Sequence, residues 1–522
     1  MRACRQIYRF WLWLGAGRKT CVLLVTGIAL LFGYAYHVEH GFPSPRVHDE
    51  FSYLLGADTF ASGRLTNPPH PLWQYFESMH IIQQPTYASI YPVGQALVLA
   101  AGQRIAGHPW WGVWFSVGLM CGAICWALQQ WLPPQWALVG ALLSLRLSSS
   151  YWLSSYWGGA VAAIGGALLV GAAARMLRRP SALWAFLMAL GIVIVGNTRP
   201  YEGLVLTLCV GAWVLVRLAK MPKAGRMLVV RRAIGPFAVV FLAVGGWMAY
   251  YNMRVTGSAT TTPYQISFRT YLYRRMFVWQ KNRPKPAYRY PEMRNAYRAL
   301  ERNERPRLYF ARVKFLRPFN RYFWAPLLPL ALLVPLGWRS RRARPLIVFS
   351  GILLLALALE EWVNPHYTAP FAAVLYAVMI QPLRRIHAWG KAGLVAAQAI
   401  VVVAIGVNFA QYAVRCLAPL ELGWQDDRER IEHQLEATPG QDLVIVRYSG
   451  AHDPYDEWVY NRADIDRAPV VWARDVIPPQ QEPLLRYFAK RRVWILEADA
   501  ALRPVLRPYT PEAYAPGGRP VS

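Results

Sequence analysis

The chain has 522 residues, 55% of them hydrophobic, with a positive mean hydropathy of +0.19. Several separate apolar runs approach the roughly 20 residues that cross a hydrocarbon core, which excludes an ordinary soluble domain. The 57 Lys and Arg outweigh 28 Asp and Glu, for a net charge of +29. In a soluble protein that excess would point to nucleic acid. In a membrane chain it points to cytoplasmic loops and lipid headgroups, so membrane lipids are expected partners and nucleic acid is not.

The basic, aromatic segment Met1 to Thr20 carries Arg2, Arg5, Arg9, Arg18 and Lys19, which place the N-terminus in the cytoplasm. No small-residue cleavage site follows the apolar run from Cys21 to Tyr36, so an uncleaved first helix is expected. A long loop, His37 to Trp110, comes next. Its His37-Val38-Glu39-His40 lacks further ligands nearby and reads as no metal site. Its aromatic stretch from Glu50 to Tyr91 holds Phe60, Trp73, Tyr75, Phe76, Tyr87 and Tyr91, and is expected to fold back onto the bilayer surface.

Val93 to Gly107 decides the topology. It is short and carries Gln95, Gln103 and Arg104, which predicts an interfacial or re-entrant segment. Apolar runs follow at 111–130, 135–150, 157–175, 182–196, 202–218, 233–252, 322–338, 345–361, 367–382 and 392–412. Basic clusters at Arg175 to Arg179, Lys220 to Arg232, Arg339 to Arg344 and Arg384-Arg385 then all fall on the N-terminal side. The expectation is an α-helical polytopic membrane protein with about eleven transmembrane helices over residues 1–412. Its outer segments are 37–110, 148–157, 196–202, 252–321 and 360–368. Residues 413–522 form a small extracytoplasmic α/β domain. Strands are expected at Asp442–Arg447, Pro469–Ala473 and Arg492–Glu497, with helices at Gly423–Ala437 and Glu482–Arg491, giving a partly parallel sheet. Cys121 and Cys125 stand one helical turn apart without metal-ligand spacing and read as packing residues.

The unusual polar residues gather on the outer side. Asp49 and Glu50 sit at the mouth of the first helix. Arg199-Pro200-Tyr201-Glu202 is read as the tip of a tight turn. Glu360-Glu361-Trp362-Val363-Asn364-Pro365-His366-Tyr367 precedes a late helix, and the 252–321 loop adds Arg269. A carboxylate there would accept a proton from an incoming hydroxyl or amine. Cations would bind a lipid phosphate and stabilise its developing charge. The plainer alternatives are a helix cap for Asp49-Glu50, an internal Arg199–Glu202 pair in a turn, and an interfacial anchor for His366-Tyr367.

The stretch DEFSYLLGADTFASGRLTNPPHP (49–71) resembles the first outer loop of the GT-C superfamily of polytopic glycosyltransferases, of the family-39 protein mannosyltransferase and aminoarabinose transferase type. YPVGQALVLAAGQRIAG (91–107) is similar to the juxtamembrane helix after that loop, and NPHYTAPFAAVLYAV (364–378) to a late-helix pattern. The resemblance covers about residues 20–412. It implies inverting transfer of a sugar from a polyprenyl-phosphate donor at the outer face of the plasma membrane, with Asp49 at the catalytic acidic position and Glu50 beside it. By their places in the predicted outer segments, Arg199, Tyr201, Glu202, Arg269, Glu361, His366 and Tyr367 are the substrate-binding candidates. Many relatives have a second acidic residue in the next outer loop. SSSYWLSSYWGGA (148–160) has none, which leaves open whether a metal assists. No cofactor is expected, and the acceptor is unspecified. A transporter of lipid-linked sugars is the main competing reading, but no internal repeat is present. The other is a non-catalytic envelope assembly protein whose working part is the C-terminal domain.

Overall fold

The computed structural model describes residues 6, 12, 13, 15–299, 317–323, 325–419, 422–476, 480–500 and 503–510. Arg2, Arg5, Arg9 and residues 300–316 of the basic loop lie outside them. Among the described residues, five helices are long and apolar enough to cross a membrane: Arg18–His40, Trp110–Leu128, Pro200–Ala219, Lys223–Thr256 and Gly390–Leu417. Shorter apolar helices fill in between, with Ala160–Met176 against Ala182–Gly196 and Arg344–Leu359 against Pro200–Ala219. Arg178 lies within electrostatic reach of Arg18, Arg217 and Arg342, and Arg384 within reach of Arg385 and Arg342. These basic groups therefore converge at one end of the bundle.

Two expected segments differ. The run 322–338 is not an α-helix: Ala325–Arg339 is a 15-residue 3-10 helix with Pro329 and Pro335 inside it. Each proline removes an amide donor and clashes with the preceding turn of an α-helix. A 3-10 helix rises about 2 Å per residue, so 15 residues still extend roughly 30 Å. The Lys220–Arg232 cluster is not a loop either. A single 34-residue helix starts at Lys223, after Pro222, and runs to Thr256. Arg, Leu and Met are good helix formers, and nothing between Lys223 and Arg232 interrupts them.

Val93–Ala106 is a 14-residue helix, about 21 Å long and short of a hydrocarbon core. Its beginning is held by Gln95 Nε2 on the Tyr156 carbonyl (2.9 Å) and by Gly94 N–H on the Asn197 carbonyl (2.8 Å). Just past its end, His108 stacks on Phe42 and Trp110 Nε1 donates to the Leu153 carbonyl (2.9 Å). Leu153 and Tyr156 belong to one short connection, so both ends of the helix are tied to the same face.

The C-terminal unit is a four-stranded sheet in the order Val470–Arg474, Asp442–Arg447, Arg492–Glu497, Val505–Pro508. The first three strands are parallel and the last is antiparallel. Helix Trp424–Glu436 precedes the sheet and Glu482–Tyr487 joins its second and third strands in sequence. The fourth strand was not expected; it ends in Pro508, which an edge position tolerates.

Much of the aromatic loop, expected on the bilayer surface, is instead buried against protein. Phe51, Leu55, Tyr75, Phe76, Ile81 and Tyr87 share one core with Leu443, Ile445, Tyr460 and Ile465 of the C-terminal unit. Burying such side chains contributes about 1.5–3 kcal/mol each. Polar contacts frame the seam: Tyr87 Oη to the Asn461 carbonyl (2.9 Å), Ala463 N–H to Asp58 (2.8 Å) and Arg474 Nε to the Glu77 carbonyl (2.7 Å). The C-terminal unit is thus built onto the loop that carries Asp49.

Candidate active site

Helix His48–Ala61 begins after extended Val47, with Asp49 and Glu50 in its first turn. The positive end of a helix favours carboxylates there. The two acids have different surroundings. Glu50 is 2% exposed; its Oε1 accepts the Arg46 N–H (3.1 Å) and its Oε2 the Tyr156 N–H (2.9 Å). Burial pushes its carboxyl up to about 7, against the pull of those two amides. Glu50 therefore ties the start of the helix to the Arg46 amide before it and to the Ser148–Trp157 connection. Asp49 is half-buried and accepts a hydrogen bond from the Tyr91 hydroxyl, whose ring stacks on Tyr53 at 4.5 Å.

Arg199-Pro200-Tyr201-Glu202 is a helix start rather than a turn tip. Arg199 occupies the cap position, Pro200 opens Pro200–Ala219, and Glu202 lies in its first turn, 3% exposed. Proline suits that place because its missing N–H would have had no partner in the helix. A glycine sets the approach: a Cβ on Gly94 would stand 2.7 Å from the Asn197 carbonyl oxygen. This contact brings Arg199 beside the helix that follows Tyr91. The Arg199 guanidinium carbon lies 4.0 Å from the centre of the Tyr367 ring. Tyr367 sits in the 3-10 turn Pro365–Phe371, held against Ala160–Met176 so closely that a Cβ on Gly166 would be 1.8 Å from the Pro370 carbonyl oxygen.

The charges of Asp49 and Arg199 both act on the hydroxyls of Tyr53, Tyr264 and Tyr367. Glu202 acts on Tyr53 and Tyr367, and Glu360 on Tyr264 and Tyr367. A carboxylate and a guanidinium thus share one tyrosine-lined neighbourhood. His366 borders it. It is 1% exposed, with Nδ1 2.7 Å from the Tyr151 hydroxyl and Nε2 without a hydrogen-bond partner among the described residues. Arg199 and Arg321 both act on its ring, and Arg321 lies 4.7 Å from the Tyr151 ring.

The remaining candidates lie apart or are engaged. Tyr201 donates to the Ala356 carbonyl (3.2 Å) and packs on Phe277. Glu361 pairs with Arg275 (3.1 Å) and Arg274 (3.4 Å), and its N–H bonds the Met276 carbonyl. It pins the 274–278 segment rather than facing the tyrosines. Arg269 is exposed on Pro263–Thr270; five residues beyond Tyr264, it is turned about 140° around the helix from it. Among the described residues no cluster of three or more His, Cys, Asp or Glu side chains could hold a metal ion.

Sequence reasoning missed several neighbours. Tyr91 was visible only as one aromatic among many. Tyr151 lies in the segment already noted for its Ser and Tyr in place of an acid. His80 gave no sign at all. Its backbone is left-handed (φ 61°), a conformation histidine adopts more often than most residues do. Its ring lies 5.6 Å from Tyr91, and the Asp49 charge acts on it.

No family model matches the chain, and no curated protein matches it in sequence. Among solved structures its fold is similar to ArnT from Cupriavidus metallidurans bound to undecaprenyl phosphate. That likeness has 15% identity over 93% of this chain and 97% of that one, at a TM-score of 0.49. The apo form of the same protein gives 13% identity, 91% and 92% coverage and a TM-score of 0.49. The apo oligosaccharyltransferase of Archaeoglobus fulgidus gives 12% identity over 84% of this chain, at a TM-score of 0.49; the present chain spans 63% of that protein's length. These are likenesses in the course of the chain alone.

Proposed function

We propose that this chain is a membrane glycosyltransferase that moves a sugar from a polyprenyl-phosphate donor to an acceptor at the outer face. One observation carries the reading: the tight Gly94–Asn197 contact (2.8 Å) brings Arg199, over the Tyr367 ring, beside the segment whose Tyr91 holds the Asp49 carboxylate, although the two helices lie far apart in sequence. Glycosyl transfer from a lipid phosphate needs this pairing. The acceptor O–H or N–H attacks the anomeric carbon from the face opposite the phosphate. Its proton passes to the Asp49 carboxylate. The C1–O bond breaks, and the polyprenyl phosphate leaves with the electron pair. Arg199 offers a planar fork of donors to the phosphate oxygens, with Nε2 of His366 beside it. Tyr91 orients the base by holding one carboxylate oxygen. Glu50 holds the helix end in place, and Glu202 balances the arginine charge.

The positive-inside rule supports the outer-face part of this reading. The basic clusters gather at one end of the bundle, the end that rule expects in the cytoplasm, and Asp49 follows the opposite end of the helix that Arg18 begins.

The test is donor cleavage by purified full-length protein in lipid nanodiscs. Undecaprenyl phosphates carrying labelled glucose, mannose, galactose, arabinose or aminoarabinose are offered with a cell-envelope extract as acceptor. Release of undecaprenyl phosphate from one of them, lost in Asp49→Asn, is the expected result. No release from any, or equal release by Asp49→Asn, overturns the reading.

A further inference from the structure

The C-terminal unit reaches both flanks of the candidate base through Tyr460. Tyr460 lies in the segment between the first two strands of the sheet and is 4% exposed. Its hydroxyl is 2.7 Å from Nδ1 of His48, the residue before Asp49, and 3.1 Å from the carbonyl oxygen of Met79, the residue before His80. Its ring lies parallel to Phe51 at 4.2 Å, with 3° between the planes. Behind it, the Arg428 guanidinium donates to the Tyr460 and Trp458 carbonyls (2.9 and 3.0 Å). A single tyrosine therefore grips both chain segments that flank Asp49: the start of its helix and the loop of His80.

The hydrogen count fixes the direction of these bonds. Nε2 of His48 is 3.0 Å from the Pro454 carbonyl oxygen, and a carbonyl can only accept. In a neutral imidazole Nε2 then holds the hydrogen, and Nδ1 accepts from the Tyr460 O–H. Burial holds the His48 ring down to about 4, so the neutral form is the working one. The groups acting on it are His80, Asp49 and Glu457. The one hydroxyl hydrogen is shared between two acceptors, with the shorter arm to Nδ1 (2.7 Å) and the longer to the Met79 carbonyl (3.1 Å), as in a three-centre bond.

Simple domain adhesion does not need this arrangement. Away from Asp49 the seam already has Tyr87 on the Asn461 carbonyl, Ala463 on Asp58 and the buried Arg474 contact. The His80 loop is also held from within, with its carbonyl accepting from Ser52 Oγ (2.6 Å) and from the Ile90 N–H (3.3 Å). Tyr460 adds to that scaffold the hydroxyl contacts to His48 and to Met79, next to the Pro454 carbonyl on His48.

We propose that Tyr460 is a positioning residue for the reaction: its hydroxyl, acting through His48 and Met79, sets the place of the Asp49 carboxylate. This rests on the reading of Asp49 as the base. It gives the C-terminal unit a part in the chemistry without contact to substrate.

The test uses full-length protein in nanodiscs and the variant Tyr460→Phe, which keeps the stacked ring and loses the hydroxyl. Hydrogen exchange is read at the Glu50 amide, bonded to the Val47 carbonyl, and at the Ile90 amide, bonded to the His80 carbonyl. The Ala463 and Leu443 amides serve as controls. The expected result is exchange at least about tenfold faster at Glu50 and Ile90 with the controls unchanged. On the donor that wild type cleaves, kcat falls about tenfold or more at unchanged KM. Unchanged exchange at Glu50 and Ile90 overturns the proposal. So does acceleration that extends to Ala463 and Leu443, because Tyr460 would then be part of general docking. Asp49→Asn is read separately. If Tyr460→Phe frees the helix end while Asp49→Asn cleaves donor like wild type, the clamp stands and the assignment of Asp49 falls.

Discussion

The Arg199 guanidinium carbon lies 4.0 Å from the centre of the Tyr367 ring, so a planar cation is stacked on an aromatic face and aimed by it. Lysine has neither the fork nor the stacking plane. Arg199→Lys is therefore expected to weaken binding of undecaprenyl phosphate about tenfold or more despite conserving charge. Equilibrium binding in nanodiscs measures it. Wild-type affinity in the lysine variant would remove Arg199 from the phosphate site.

Tyr91 and Asp49 make a second pair that substitution can separate. Tyr91→Phe keeps the ring on Tyr53 and removes the hydrogen bond to the carboxylate. The expected loss in kcat is about tenfold to a hundredfold, with KM nearly unchanged, because the base is no longer held in line. Steady-state kinetics on the cleaved donor decide it, and an altered KM with intact kcat would place Tyr91 in substrate binding instead.

Much of this arrangement was legible in the chain. The three parallel strands and the short segment at Val93 follow from turn chemistry, apolar runs and the shortage of residues to cross a membrane, whereas the helix His48–Ala61 lay inside what reads as a long loop. The partners were not legible. The aromatics between Phe51 and Tyr87 look equally suited to a lipid surface and to a protein seam, because both bury apolar rings. Only the fold shows that Leu443 and Ile445 cover them. Glu50 and Asp49 are chemically alike, and their division of labour depends on the Tyr156 amide and the Tyr91 hydroxyl. Each lies on a different later segment. The prolines at 329 and 335 were visible, but the apolar composition around them suggested an α-helix.

Glu50 gives a pH signature. Its folded carboxyl is pushed up to about 7 from an ordinary 4.5. A raised pKa means the folded state keeps its proton longer than the unfolded chain. The stability it contributes is complete below about 4.5, falls as pH rises toward 7 and levels off above. The change is on the order of 3 kcal/mol. Glu50→Gln cannot titrate, although it loses one of two amide acceptors. The gap in melting temperature between wild type and Glu50→Gln should therefore move in favour of the variant from pH 4.5 to 7. A constant gap across that range would show that Glu50 is ionised in the fold.

Arg474 should be the costliest seam residue to lose. It is 1% exposed, with Nη2 2.5 Å from Glu457 and Nε 2.7 Å from the Glu77 carbonyl. Arg474→Met leaves Glu457 buried without its cation, which costs about 3–5 kcal/mol. Thermal unfolding in nanodiscs should show a large fall, and Arg474→Met with Glu457→Leu should recover part of it. No recovery in the double variant would mean the Glu77 contact, not the ion pair, holds the seam.

The side of the membrane is open to a direct test, and the fold changes what that test means. Arg18, Arg178, Arg342 and Arg384 gather at one end, and the positive-inside rule predicts that end in the cytoplasm. The C-terminal unit is bonded to the Asp49 loop through Tyr460, Asn461 and Ala463. A reporter on this unit therefore reports the side of Asp49 as well. Alkaline phosphatase fused after Ser522 should be active and a cytoplasm-dependent fluorescent protein dark. The same reporters inserted between Arg179 and Ser181 should give the opposite pair. Bright fluorescence at the C-terminus would carry Asp49 and Arg199 together to the cytoplasmic side. The site would stay whole, but the donor would have to present its sugar there, and the outer-face assignment would fall.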